Sequence, residues 1–457
     1  MAAVIIDPEL PRSDILLLHN LDADIQRHQK GRPLSSEEGK DASPQNGAGE
    51  QLSGANGQKG ADGTAAAQSF TDERVLAQMK GLNDPSHPDF EPTVFSSWDL
   101  KDLSVKLHPA VSRYLLLPYI EWARKTARHE TDVVMITHLI IYFTTSIPSA
   151  IWLFYRFSYW HAIIHTPLQF WYMGVYTLMM HQHIHQRGIL SKEKAWTRIF
   201  DLLFPYATDP LMGHTWNSYF YHHVKHHHVE GNGPDDLSST VRYQRDNIWH
   251  FLHYVGRFYF LIWLDLPLYF LGKNRYTTAL KAAFWELGTY AAIATLYHLN
   301  SRATTFVFIL PLMLMRLGLM IGNWGQHAFV DADEPDSDYR SSITLIDVPS
   351  NRFCYNDGYH ISHHLNPLRH WREHPVHFLQ NKETYSREHS LVFHNIDYLM
   401  ITVRLMMRDY EHLAKCLVPI GDQIDLTLEE RATMLKRHTR RFSEEEIKQK
   451  FGVAKSN

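Results

Sequence analysis

Apolar and polar positions divide this 457-residue chain into blocks of very different character. Two apolar runs, residues 133–154 and 162–180, are each long enough to cross a hydrocarbon core about 30 Å thick. A short aromatic turn with Tyr155, Arg156, Tyr159 and Trp160 joins them. A second pair, residues 279–299 and 305–322, is joined by an equally short turn. Each pair reads as a helical hairpin. Residues 251–271 are apolar too, but they carry Arg257, Asp265 and Pro267. Charge near the middle of a span is costly, so this stretch is expected to lie in the plane of the membrane interface. Glu286 and Arg316, inside the second pair, are expected to face protein or a cavity rather than lipid.

The flanks have other patterns. Residues 39–68 hold seven glycines and one large apolar residue, Leu52. Such a segment buries too little surface to offset its ordering entropy. Residues 1–97 are therefore expected to be a mostly disordered extension, with the apolar patch 15–18 docking or forming a brief helix. Residues 98–130 mix apolar side chains with Arg113, Arg124, Lys125 and Arg128, the pattern of an amphipathic helix on a membrane surface. The tail, residues 383–457, reads as soluble and helical. Thr427 with Glu430 and Ser443 with Glu446 are capping-box pairs for two short helices there. Residues 98–382 between these flanks form the membrane domain.

Composition narrows the classes. The formal charge of −4 and the lack of a long basic tract point away from nucleic acid. Aromatic content of 13% suits interfacial belts. Two cysteines make no disulfide framework and favour a reducing compartment. The first residues lack the basic and apolar regions of a signal peptide. The hairpin turns hold one arginine each, Arg156 and Arg302, and the opposite side is far richer in Lys and Arg. That side is expected to be cytosolic, with both termini on it.

Histidine is the candidate chemistry. There are 31, and five of them, His222, His223, His226, His227 and His228, fall within seven residues. On an α-helix, residues three and four apart share a face, which groups His223, His226 and His227 as H-x-x-H-H. Chance supplies roughly 0.14 such matches in a chain of this composition, so one match is weak evidence. A second, His360, His363 and His364, follows the second hairpin. The first hairpin runs directly into HQHIH, where His181 and His185 share a face and His183 points away. Asn323 and His327 leave the fourth run in NWGQH. The hairpin count puts all of these clusters on one side.

With HQHIH at 181–185, HVKHH at 223–227, NWGQH at 323–327 and HISHHLNP at 360–367, the chain resembles the membrane fatty acid desaturases over residues 98–378. The resemblance implies an all-α membrane protein with four transmembrane helices in two hairpins, an in-plane helix and a cytosolic helical cap. It also implies a di-iron centre on nine histidines: His181, His185, His223, His226, His227, His327, His360, His363 and His364. Asn323 is expected near the second metal, and His222 and His228 stay open as replacements for one of the second-box ligands. The implied reaction is O2-dependent formation of a cis double bond in a fatty acyl substrate, either acyl-CoA or acyl-lipid, in the endoplasmic reticulum membrane. The third box opens with His360 rather than glutamine, which sets the chain apart from front-end desaturases. No cytochrome b5 segment is fused, since His108 and Pro109 continue as Ala110 and Val111. Electrons are expected from a separate carrier such as cytochrome b5 or ferredoxin. Hydroxylation or acetylenation on the same scaffold is the alternative, and a non-enzymatic zinc-binding membrane protein is a more distant one. His185 and His223 are 38 residues apart, a separation that favours the desaturase branch over the hydroxylases.

Overall fold

The computed structural model describes residues 4–31, 70–346 and 353–452. Within them the chain is mostly helical. The helices that position the site are α1 (Arg12–Gln29), α2 (Asp72–Asn83), α3 (Val133–Tyr155), α4 (Tyr159–Gln186), α5 (Ile248–Gly272), α6 (Tyr276–Leu299), α7 (Ser301–Gln326), α8 (His360–Leu365) and α9 (Tyr398–Met406). The chain is not purely helical as read from sequence. Thr93–Phe95 pairs antiparallel with Trp98–Asp99, and Ile343–Leu345 pairs parallel with Leu391–Phe393. Strands this short arise from tertiary pairing and leave little local pattern.

Among the described residues three helices, α3, α5 and α7, are long and apolar enough to cross a membrane. The expected spans 162–180 and 279–299 lie within α4 and α6. Those helices are as long but more polar, with His161, His165 and Gln169 in α4 and Lys281 and Glu286 in α6. The expected in-plane stretch lies within α5, whose length and apolar content also suffice for crossing. α5 and α6 fold back against each other, and α7 packs on α4, α5 and α9. Glu286 of α6 and Arg316 of α7 are buried as an ion pair, away from lipid.

Four π-helical segments occur among the described residues. Three of them, Ser112–Leu116, Tyr142–Ser146 and Thr305–Ile309, each run into a helix whose second residue is proline: Pro118, Pro148 and Pro311. Proline lacks an N–H, and its ring clashes with the carbonyl four residues back. One wider turn moves that carbonyl aside. The fourth segment, Phe220–His227, contains no proline and carries the histidine cluster.

The N-terminal patch 15–18 lies within an 18-residue helix, longer than the brief one expected. Leu17, Leu18, Leu21 and Ile25 of α1 pack with Val75 and Met79 of α2 and with Tyr359, Ile361 and Val376. Lys382 Nζ reaches Asn20 Oδ1 at 3.0 Å and Asp72 Oδ1 at 2.6 Å, and it also contacts Asp24. Much of the partner surface, Tyr359, Ile361, Val376 and Lys382, lies more than 300 positions away, so local composition could not reveal it. The glycine-rich piece 39–68 lies outside the described residues. In the tail, Thr427/Glu430 and Ser443/Glu446 make both reciprocal capping bonds.

Candidate metal centre

The last turn of α4 presents His181 and His185 on one face, with ring centroids 4.8 Å apart. His183 turns away to Asp201, at 3.5 Å, and packs edge-on against Phe204. The segment Phe220–His227 winds as a π-helix, in which residues five apart, not four, come into line. His223 and His228 therefore share a face, with Nε2 atoms 3.0 Å apart. His327 ends α7, and the α-helical turn α8 supplies His360, His363 and His364.

Nine imidazoles form two adjacent groups. One is His181, His185, His223, His228 and His363; the other is His227, His327, His360 and His364. Of the expected histidines, His226 is not gathered. His226 accepts a hydrogen bond at Nε2 from the Leu237 amide (2.8 Å) and packs on Tyr269. Asn323 donates to the Ser238 carbonyl (2.9 Å) and the Tyr254 hydroxyl (2.7 Å). His228, kept open from sequence, falls in the first group. His222 stands outside both groups, 3.3 Å from Ser238 Oγ.

The donor set fits metal ions. Around the first group the Nε2–Nε2 distances are 2.8 Å (His181–His223), 3.0 Å (His223–His228), 2.8 Å (His228–His363) and 3.0 Å (His363–His181). In a square of that edge the centre lies about 2.1 Å from each corner, within the range of metal–imidazole bonds. His185 Nε2 is buried with no hydrogen-bond partner in the structure. A buried polar nitrogen left without a partner is costly unless a ligand claims it. In the second group, His360 Nε2 lies 3.3 Å from His327 Nε2 and 3.0 Å from His364 Nε2.

Electrostatics keep these rings ready to coordinate. Burial, reinforced by neighbouring imidazoles, holds His181, His223, His228, His360, His363 and His364 well below the ordinary histidine range. The same causes push His185 down to about 4 and His327 to about 3. Neutral imidazole is the metal-binding form. Outer hydrogen bonds fix the tautomers. His227 Nδ1 donates to Asp236 Oδ2 at 2.7 Å and His327 Nδ1 to the Ser341 carbonyl at 2.8 Å, which leaves both Nε2 atoms free. Burial works against an ionised Asp236, but His227 and His226 hold its carboxyl well below the usual range. Asp236 went unnoticed in the sequence because GNGPDD carries only a turn signal.

A cavity of about 830 Å³ opens onto the centre. His181, His223, His227, His360 and Asn323 line it, and most of its remaining wall is apolar surface from α4, α5 and α7. Neither the curated proteins nor the solved structures returned a match to this chain. Residues 158–395, just over half of the chain, match the family model described as fatty acid desaturase, and the match spans every histidine of both groups. With the histidine groups and the apolar cavity beside them, the chain belongs to the fatty acid desaturase family.

Proposed function

We propose that this protein is a membrane di-iron oxidase that introduces a double bond into a fatty acyl chain, using O2 and two electrons from a separate carrier such as cytochrome b5 or ferredoxin. The observation that carries this reading is the pair of imidazole groups opening onto one apolar cavity. Per double bond, one CH2–CH2 unit loses two hydrogens, and O2 takes up two electrons and two protons in addition, giving two waters. A closed structural zinc site takes four ligands, whereas nine clustered imidazoles suit two ions that each keep an open position. When bound, the irons supply the reduction of dioxygen and the power to take hydrogen from an unactivated C–H bond. The histidines of both groups hold the ions, and Asp236 and the Ser341 carbonyl orient His227 and His327. The cavity wall excludes water and holds one carbon pair beside the centre. Asn323, one helical turn before His327, lines the cavity.

Topology supports four spans with α5 lying in plane. His185 ends α4 and His327 ends α7, yet both join one centre, so the crossings between them must be even in number. Of α5, α6 and α7, one therefore does not cross. α5 carries the exposed pair Arg257–Asp265 at 2.9 Å, which suits an interface better than hydrocarbon. The histidine face and both termini are then cytosolic, in the endoplasmic reticulum membrane. Metal analysis of the purified chain and mass spectrometry of its lipid products test the proposal. Two irons per chain and products lighter by two hydrogens are expected. Zinc alone, or products heavier by one oxygen, would overturn it in favour of a zinc-binding protein or a hydroxylase.

A further inference from the structure

Which carrier holds the acyl chain is written in the charge of the cavity wall. Besides the histidines, the charged residues lining it are Glu286, Asp357, Asp397 and Arg316, and no lysine is among the described lining residues. The lone guanidinium is already held: Arg316 donates to Glu286, which also accepts from Thr215 Oγ1 at 2.6 Å and from the Tyr290 hydroxyl. Asp397 caps α9 through the Met400 amide, at 2.8 Å, and Asp357 accepts from Gln326 Nε2 at 2.7 Å. Among the described lining residues no unpaired side-chain cation remains. An anionic group brought near the wall would lose hydration with nothing to replace it.

The wall is also continuous with the outer surface of the helices. Phe170 and Trp171 of α4 line the cavity and are 60% and 45% exposed; Leu399 of α9 lines it and is 53% exposed. Phe353 packs against Trp171, with ring centroids 5.4 Å apart. An apolar opening of this kind admits a chain from lipid without exposing it to water.

We infer that the substrate is the acyl chain of a membrane lipid whose head bears no net negative charge, entering sideways past Trp171 and Leu399, and not an acyl-CoA. This rests on the acyl-oxidase reading above and names its substrate class. The test uses the full chain in vesicles of zwitterionic phospholipid and one photoreactive acyl chain in three forms: a ceramide, the CoA thioester and a phosphatidic acid. The ceramide form is expected to label residues around Trp171 and Leu399 at roughly tenfold or more the level of either anionic form. Unlabelled ceramide competes, and unlabelled acyl-CoA does not. Equal or stronger labelling by the thioester or the phosphatidic acid would overturn the inference. Leu399→Lys, at an exposed position, is expected to lower ceramide labelling. If it changes neither ceramide nor thioester labelling, the inference also falls. Labelling needs no turnover: should no form be oxidised while ceramide alone labels, the proposed reaction fails and the ligand class stands.

Discussion

The pattern H-x-x-H-H occurs at 223–227 and again at 360–364, and the two copies are used differently. The second copy lies on an α-helical turn. There His360 and His364, four apart, join one group while His363 joins the other. The first copy lies on a π-helical turn. There the partner of His223 is His228, five residues on and outside the motif, while His227 serves the other group and His226 serves neither. The same letters select different residues because winding, not spacing in the sequence, decides which side chains align.

Substitutions can break this comparison. The largest effect is expected from His228→Ala, matched by His363→Ala. Each should remove metal from the five-histidine group and lower turnover by more than the roughly 100-fold that outer hydrogen-bond partners account for. Iron stoichiometry beside turnover measures it, and full metal loading in His228→Ala would return the first copy to α-helical winding. Asp236→Asn comes next, with a loss of about 10–100-fold in metal affinity or activity, because His227 loses its acceptor.

A smaller effect is expected with acid. In the apoprotein His185 and His327 stay neutral down to about 4 and about 3, while in the unfolded chain ordinary histidines take up protons from about 6.5. Protons therefore favour the unfolded state, and stability should be present above pH 6.5 and decline as pH falls through that window. Thermal melts across it, with and without metal, check the sign; bound metal should oppose the decline until protons displace it. His226→Ala should leave metal content at the wild-type level and cost about 1–3 kcal/mol of stability, since the Leu237 amide loses its acceptor. Smallest of all, His183→Ala should keep most metal and activity, because its ring faces Asp201 rather than the centre.

The helical boundaries show where local pattern was enough. Residues 133–154 became Val133–Tyr155 almost without adjustment, because an apolar run of that length satisfies its backbone groups as a helix. The capping boxes at Thr427 and Ser443 involve only residues three apart and formed as written. α1 was hard to read for the opposite reason. Its buried leucines are stabilised by Tyr359, Ile361 and Val376, and Tyr359 donates to Asp14 at 2.5 Å immediately before His360. A segment that looked peripheral thus packs beside the third histidine box.

Sequence by itself carried the family and its candidate chemistry: spaced histidine clusters separated by apolar segments. Those features depend on residue type and spacing, and both survive without coordinates. Tertiary structure decided the rest. It brought His228, rather than His226, beside His223, because a π-helical turn shifts alignment by one residue. It brought Asp236 to His227, because a turn folded back on its own histidine segment. It set the charge of the cavity wall, because Glu286 and Arg316, 30 residues apart on different helices, neutralise each other only after α6 meets α7.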